Sequence, residues 1–174
     1  KPFFLYLAFN APHTPLQAPQ KYLDRVKDIK DEKLRTYGAM VCGMDDAIGA
    51  LAAKLKEHGL TDNTLVFFFS DNGGPVGVTN CRNTPLRGAK GQVYEGGVRV
   101  PFVVSWPAKL KPGKFDHPVS SLDVFPTALA LAGVGLATYL AMYKLGYIGT
   151  LACGTGGCEI VQMGRRHVLD NPCI

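Results

Sequence analysis

The sequence predicts an α/β fold with a mostly parallel central sheet over residues 1–134, followed by an apolar helical tail over residues 135–174. Three observations lead there. Two continuous apolar runs of strand length, Phe3 to Phe9 and Leu65 to Ser70, suit strands buried on both faces. Between them, apolar residues recur every three or four positions from Asp31 to His58, and strands separated by an amphipathic helix imply α/β layering. Residues 1–123 hold 28 of the 33 charged residues, so the last third is a different material.

In chain order, Phe3-Phe4-Leu5-Tyr6-Leu7-Ala8-Phe9 is closed by Asn10-Ala11-Pro12 and reads as a parallel central strand. No initiator methionine, signal peptide, turn or cap precedes it, which reads as a cut in a longer chain. In the helix, Leu34, Tyr37, Val41, Met44, Ile48, Leu51 and Leu55 form the apolar stripe, and Gly59 stands at the C-terminal cap. Leu65 to Ser70 is a second buried strand, and Val98 to Trp106 a third, which Pro101 confines to an edge or a bulge. Asp123-Val124-Phe125-Pro126-Thr127 reads as a helix start with proline in the first turn, and Gly133 with Gly135 would end that helix after Leu131 and Ala132. Val124 to Tyr143 carries no charge over about the length of a bilayer-spanning helix, so membrane contact is an expectation for residues 124–151.

At 174 residues, one domain of ordinary size is expected, and 20 glycines with 12 prolines describe a loop-rich globular protein. The formal charge of +5 favours anionic partners, but Lys and Arg are scattered without interleaved aromatics, which argues against nucleic acid. Five cysteines, an odd and unevenly placed set, make no disulfide framework by themselves.

Three loops carry candidate chemistry. Ser70-Asp71-Asn72-Gly73-Gly74 follows a buried strand, where α/β sheets gather ligands, and Asp71 with Asn72 offers hard oxygen donors suited to Ca²⁺ or Mg²⁺. The same letters are ordinary turn chemistry, and two ligands cannot hold a metal alone. Ala11-Pro12-His13-Thr14-Pro15 presents His13 on a proline-flanked loop at the same presumed sheet edge, where it can contact an anion or pass a proton to a departing oxygen. From Leu86 to Pro101, cations alternate with glycines, and Lys90 is the candidate point charge for a tetrahedral oxyanion.

These motifs, in this order, resemble the sulfatase family of the alkaline-phosphatase superfamily from Lys1 to about Val134. The resemblance rests on Phe4 to Pro15, on Tyr37-Gly38-Ala39-Met40-Val41 leading to Met44-Asp45, and on Ser70-Asp71-Asn72-Gly73-Gly74. It continues through Gly88-Ala89-Lys90-Gly91, Glu95-Gly96-Gly97-Val98-Arg99-Val100-Pro101 and Ser121-Leu122-Asp123-Val124-Phe125-Pro126-Thr127. It implies a partial alkaline-phosphatase-like sandwich in which Asp71 and Asn72 bind the cation, usually Ca²⁺, while His13 and Lys90 contact the sulfate and the leaving oxygen. Asp45 and Asp123 are read as capping or surface residues.

The family nucleophile is a formylglycine made in a Cys/Ser-x-Pro-x-Arg motif, which this chain lacks; Cys42 and Cys81 have other neighbours. Two further aspartate ligands would precede Lys1, so weak metal binding and no turnover are expected of this chain alone. The resemblance implies a sulfated small molecule or glycan as substrate and a periplasmic, lysosomal or extracellular location.

The tail departs from that pattern. Residues 135–162, with Cys153-Gly154-Thr155-Gly156-Gly157-Cys158, resemble the end of a first membrane helix and the cysteine loop of the vitamin K epoxide reductase family, implying Cys153 and Cys158 as a redox pair. His167 and Cys173 lack the paired spacing of a structural zinc site. Four readings fit these residues: a sulfatase part, a phosphoester hydrolase of the same superfamily, a membrane thiol–disulfide module, and an inactive truncated fusion.

Overall fold

The structure is a computed structural model that describes residues 1–145. The chain divides into two units, Lys1–Ser121 and Leu122–Ile174. The loop resembling the reductase family, with Cys153 and Cys158, lies outside the described residues.

The first unit is organised on one long helix. After a short helix, α1 (Gln20–Leu23), and a 3₁₀ turn at Asp24–Val26, the chain enters α2 (Glu32–Glu57). Asp31 is the N-cap, its carboxylate accepting the Leu34 N–H at 2.8 Å, so one orphan donor of the first turn is satisfied. At the other end Leu60 N–H donates to Leu55 O and Gly59 N–H to Lys56 O, with Gly59 at φ +64°, the paired bonds of a Schellman stop. The stripe from Leu34 to Leu55 is half-buried at every position, and Ala39 at its centre is fully buried. Gly43 lets the Tyr22 ring lie against the helix, where a Cβ would sit 3.1 Å from it, and Ile29 packs near Gly38, so residues 19–30 cross α2 closely. Between them Phe9, Ala11, Tyr22, Met40 and Met44 line an open apolar cleft of about 240 Å³.

The sheet differs from the expected one. β1 (Val66–Phe69) pairs with β2 (Phe102–Ser105) antiparallel, in the register Val66↔Ser105 and Phe69↔Phe102, with the Phe69 and Phe102 rings stacked at 5.2 Å. The intervening loop carries two single-turn helices, α3 (Val76–Thr79) and α4 (Glu95–Val98), and brings the chain back past the end it left, which allows antiparallel pairing without a crossover. Phe3 to Phe9 forms no strand among the described residues, because an extended segment becomes a strand only when a neighbour takes its backbone hydrogen bonds; Phe4 is 90% exposed. β1 is likewise not buried on both faces, since Val66 and Phe68 are exposed while Phe67 and Phe69 are half-buried. Pro101 sits just before β2, where a missing N–H costs no ladder bond, and its carbonyl accepts from Ser70 N–H.

In the second unit, α5 runs from Val124 to Lys144, passing through Gly133 and Gly135 rather than ending there. Neither glycine has positive φ, and the surrounding Ala and Leu residues are strong helix formers that offset two weak positions. Among the described residues, no helix is long and apolar enough to cross a membrane.

Candidate active site

The candidate site grows from the end of β1. Ser70 N–H closes the last rung against Pro101 O at 3.2 Å, and the chain then leaves the sheet. Ser70 Oγ donates to Asn72 O at 2.9 Å, folding Asp71 to the outside of the turn, where its side chain is exposed. Asn72 is half-buried and spends its amide N–H on Gly73 O at 3.0 Å, which leaves its carboxamide oxygen as the available hard donor.

Glycines then bring a second loop onto the first. Gly73 N–H donates to Gly97 O at 2.9 Å, and a Cβ at Gly73 would be driven into Gly96 O. Gly96 and Gly97 are buried, and a Cβ on either would collide with carbonyl oxygens of residues 87–92. Close backbone stacking therefore requires glycine here. Lys90 N–H donates to Gly74 O at 3.2 Å, which ties the lysine backbone to the stretch that follows Asp71 and Asn72.

The cations of this loop divide by partner. Arg87 lies over the Tyr94 ring at 4.0 Å and donates to its hydroxyl, and Arg99 pairs with Glu95 at 3.1 Å. Lys90 is exposed and enters no ion pair among the described residues, so its charge remains free for an anion.

His13 stands on its own turn. Its backbone N–H donates to Asn10 O at 2.8 Å, and Nδ1 lies 2.9 Å from Thr14 O, a carbonyl that can only accept and so favours the proton on Nδ1. Backbone hydrogen bonds join the loop of Asp71 and Asn72 to that of Lys90, while the hydrogen bonds of His13 among the described residues stay within its own turn. Cys42 is half-buried on α2 and Cys81 is buried against Gly74, so neither thiol is presented as an exposed nucleophile.

Among the described residues, no group of three or more His, Cys, Asp or Glu is placed to hold a metal ion. Asp71 and Asn72 offer two oxygen donors, which suits a share of a Ca²⁺ shell of six to eight ligands but not a whole one. Sequence reasoning missed Asn83, whose side chain bonds both loops. Asn83-Thr84-Pro85 reads as an ordinary turn, and only the approach of Gly74 and Gly88 gives that amide its partners.

Known proteins resemble this chain in sequence and in fold. Residues 1–134 match the sulfatase family. The chain is 36% identical over 138 residues to the uncharacterized sulfatase YdeN of Escherichia coli (strain K12), covering 78% of this chain and 24% of that protein. Arylsulfatase J of Mus musculus is 41% identical over 133 residues, 76% of this chain and 22% of the relative. N-acetylgalactosamine-6-sulfatase of Rattus norvegicus is 36% identical, covering 98% of this chain and 30% of the relative. Among solved structures, Ps i-CgsB in complex with k-i-k-neocarrahexaose superposes with a TM-score of 0.73 at 49% identity, covering 76% of this chain and 29% of that one. The chain thus spans about a quarter of the length of these relatives. Their shared alkaline-phosphatase-like fold accounts for the mixed α/β character of the first unit. Family identity across the first 134 residues and close structural likeness agree, and this chain belongs to the sulfatase family.

Proposed function

We propose that this chain supplies one side of a sulfate-ester hydrolase site. Asp71 and Asn72 would hold a divalent cation, Ca²⁺ with Mg²⁺ as the alternative, and Lys90 and His13 would contact the sulfate and the leaving oxygen. The observation that supports this reading is the backbone stitching of the Lys90 loop onto the strand end that carries Asp71 and Asn72. A bound cation would supply charge stabilisation for the transferring sulfuryl group. Lys90, exposed and free of an ion pair among the described residues, adds a fixed positive charge for the same group. His13, with Nδ1 occupied by Thr14 O, offers Nε2 to a departing oxygen.

The 174 residues contain no Cys/Ser-x-Pro-x-Arg motif for formylglycine, so the reading assigns this chain binding and electrostatic roles and no turnover by itself. A sulfated glycan is the proposed substrate class, supported by a neighbour solved with k-i-k-neocarrahexaose and by N-acetylgalactosamine-6-sulfatase relatives. The family reading carries with it an exported location, in periplasm, lysosome or medium.

Calorimetric titration of the chain with Ca²⁺, beside Asp71→Ala, tests the cation role. Saturable binding lost in the variant is expected. Absence of binding to the unsubstituted chain would show that the two-ligand half-site is not preformed.

A further inference from the structure

The two loops of the candidate site meet on one carboxamide. Asn83 Oδ1 accepts Gly74 N–H at 3.0 Å, while Nδ2 donates to Gly74 O at 3.1 Å and to Gly88 O at 3.0 Å. Gly74 O also accepts Lys90 N–H, at 3.2 Å. A carboxamide carries a donor and an acceptor side by side, as a peptide group does, so Asn83 pairs with both backbone groups of Gly74 as a neighbouring strand would. The spare N–H then reaches the carbonyl two residues before Lys90. Aspartate has the acceptor without the donor, and an apolar residue has neither. Gly74 is fitted to this arrangement, since a Cβ there would sit 2.9 Å from Asn83 Oδ1 and press on Cys81 Sγ.

We propose that Asn83 is a positioning residue that sets the placement of Lys90 relative to Asp71 and Asn72, by holding Gly74 and Gly88 in register. The functional weight of this role rests on the sulfatase reading of those three residues; the mechanical coupling does not. Asn83 acts through backbone groups and touches no reacting atom, so loss of its donor and loss of its acceptor must have separable effects.

Residue-resolved amide hydrogen exchange on the full chain separates them, comparing Asn83→Ala and Asn83→Asp with α2 amides as internal reference. In Asn83→Ala, protection at Gly74 and at Lys90 is expected to fall about tenfold, the scale of one lost partly buried hydrogen bond, with α2 unchanged. Lys90 N–H makes no bond to Asn83, so its loss of protection reports coupling through Gly74 and Gly88. Asn83→Asp retains an acceptor for Gly74 N–H, and there the Lys90 amide should lose more protection than the Gly74 amide. Unchanged Lys90 protection in both variants would overturn the proposal, and so would a loss shared equally by α2, which marks a general folding role. A Ca²⁺ titration of the same samples keeps the two roles apart. Coupled exchange without Ca²⁺ binding leaves the positioning role standing and removes its link to a cation site.

Discussion

Asn80 Nδ2 donates to Asp31 Oδ2 at 2.9 Å, so the carboxylate that caps α2 also holds the left-handed residue that ends α3. One oxygen of Asp31 serves its own helix through Leu34 N–H, and the other reaches a segment 49 residues away, close to the candidate site. The Leu34 N–H and then the Asn80 amide hold the Asp31 carboxyl below its ordinary value of 3.8. A depressed folded value means that the stabilisation is present above the unfolded value and is lost as pH falls through the folded one. Asp31→Ala should lower Tm by about 2–4 °C at neutral pH, a usual cost of a lost cap. The gap from the unsubstituted chain should close on acidification below 3.8, which thermal melts across an acid series would show.

Tyr37 supplies the alkaline counterpart. Burial first, and the neighbouring Cys81 second, push its phenol above the ordinary value of 10.0. A raised folded value favours the folded state fully below the unfolded value and loses that contribution as pH rises through the folded one. Tyr37→Phe should therefore match the unsubstituted chain in stability near neutrality to within about 1 kcal/mol and flatten the fall in stability above pH 10.0. Chemical denaturation on both sides of that value checks it.

Two glycines should respond in opposite senses. At Gly73 a methyl would be driven into the Gly96 carbonyl, which belongs to a buried backbone and cannot move aside like a side-chain tip. Gly73→Ala should cost about 2 kcal/mol or more. Gly133 lies within α5, and a methyl group added there would meet nothing within 4 Å among the described residues. Gly133→Ala should raise stability by about 0.5–1 kcal/mol and increase the helical circular dichroism signal, because it removes backbone freedom from the unfolded chain.

Lys90 offers a test that leaves the fold alone. Its side chain is exposed and makes no ion pair among the described residues, so Lys90→Ala should leave Tm within about 1 °C. Affinity for inorganic sulfate should fall about tenfold, with Lys90→Arg recovering part of it. A titration monitored at the Lys90 and Gly74 amides would reveal equal affinity in all three proteins if the lysine does not face the anion.

What was legible in the sequence was local. The span of α2, its half-buried stripe and its Gly59 end follow from periodicity and capping, because helix hydrogen bonds close within four residues and need no distant partner. The two strands within Leu65 to Ser70 and Val98 to Trp106 were visible as apolar runs, though not their pairing, and the placement of Asp71 and Asn72 just beyond a strand end followed from the first. Sulfatase membership was readable from motif order, and the family match over residues 1–134 has the same extent.

Whether an apolar run becomes a strand is decided elsewhere in the molecule. Phe3 to Phe9 has the composition of a central strand and remains unpaired among the described residues, while β1 pairs antiparallel because its partner returns through the loop of residues 70–101. Gly133 and Gly135 read as a helix stop, yet neighbouring helix formers carry the backbone through both. Asn83 acquires its role only when Gly74 and Gly88 close on it. By itself the sequence determined the helix, its C-terminal cap and the family; the tertiary structure decided pairing direction, the meeting of the Lys90 and Asp71 loops, and the place of Asn83. The physical reason is that ladder bonds and glycine-to-glycine contacts join residues far apart in the chain, and their energy depends on partners that local composition does not specify.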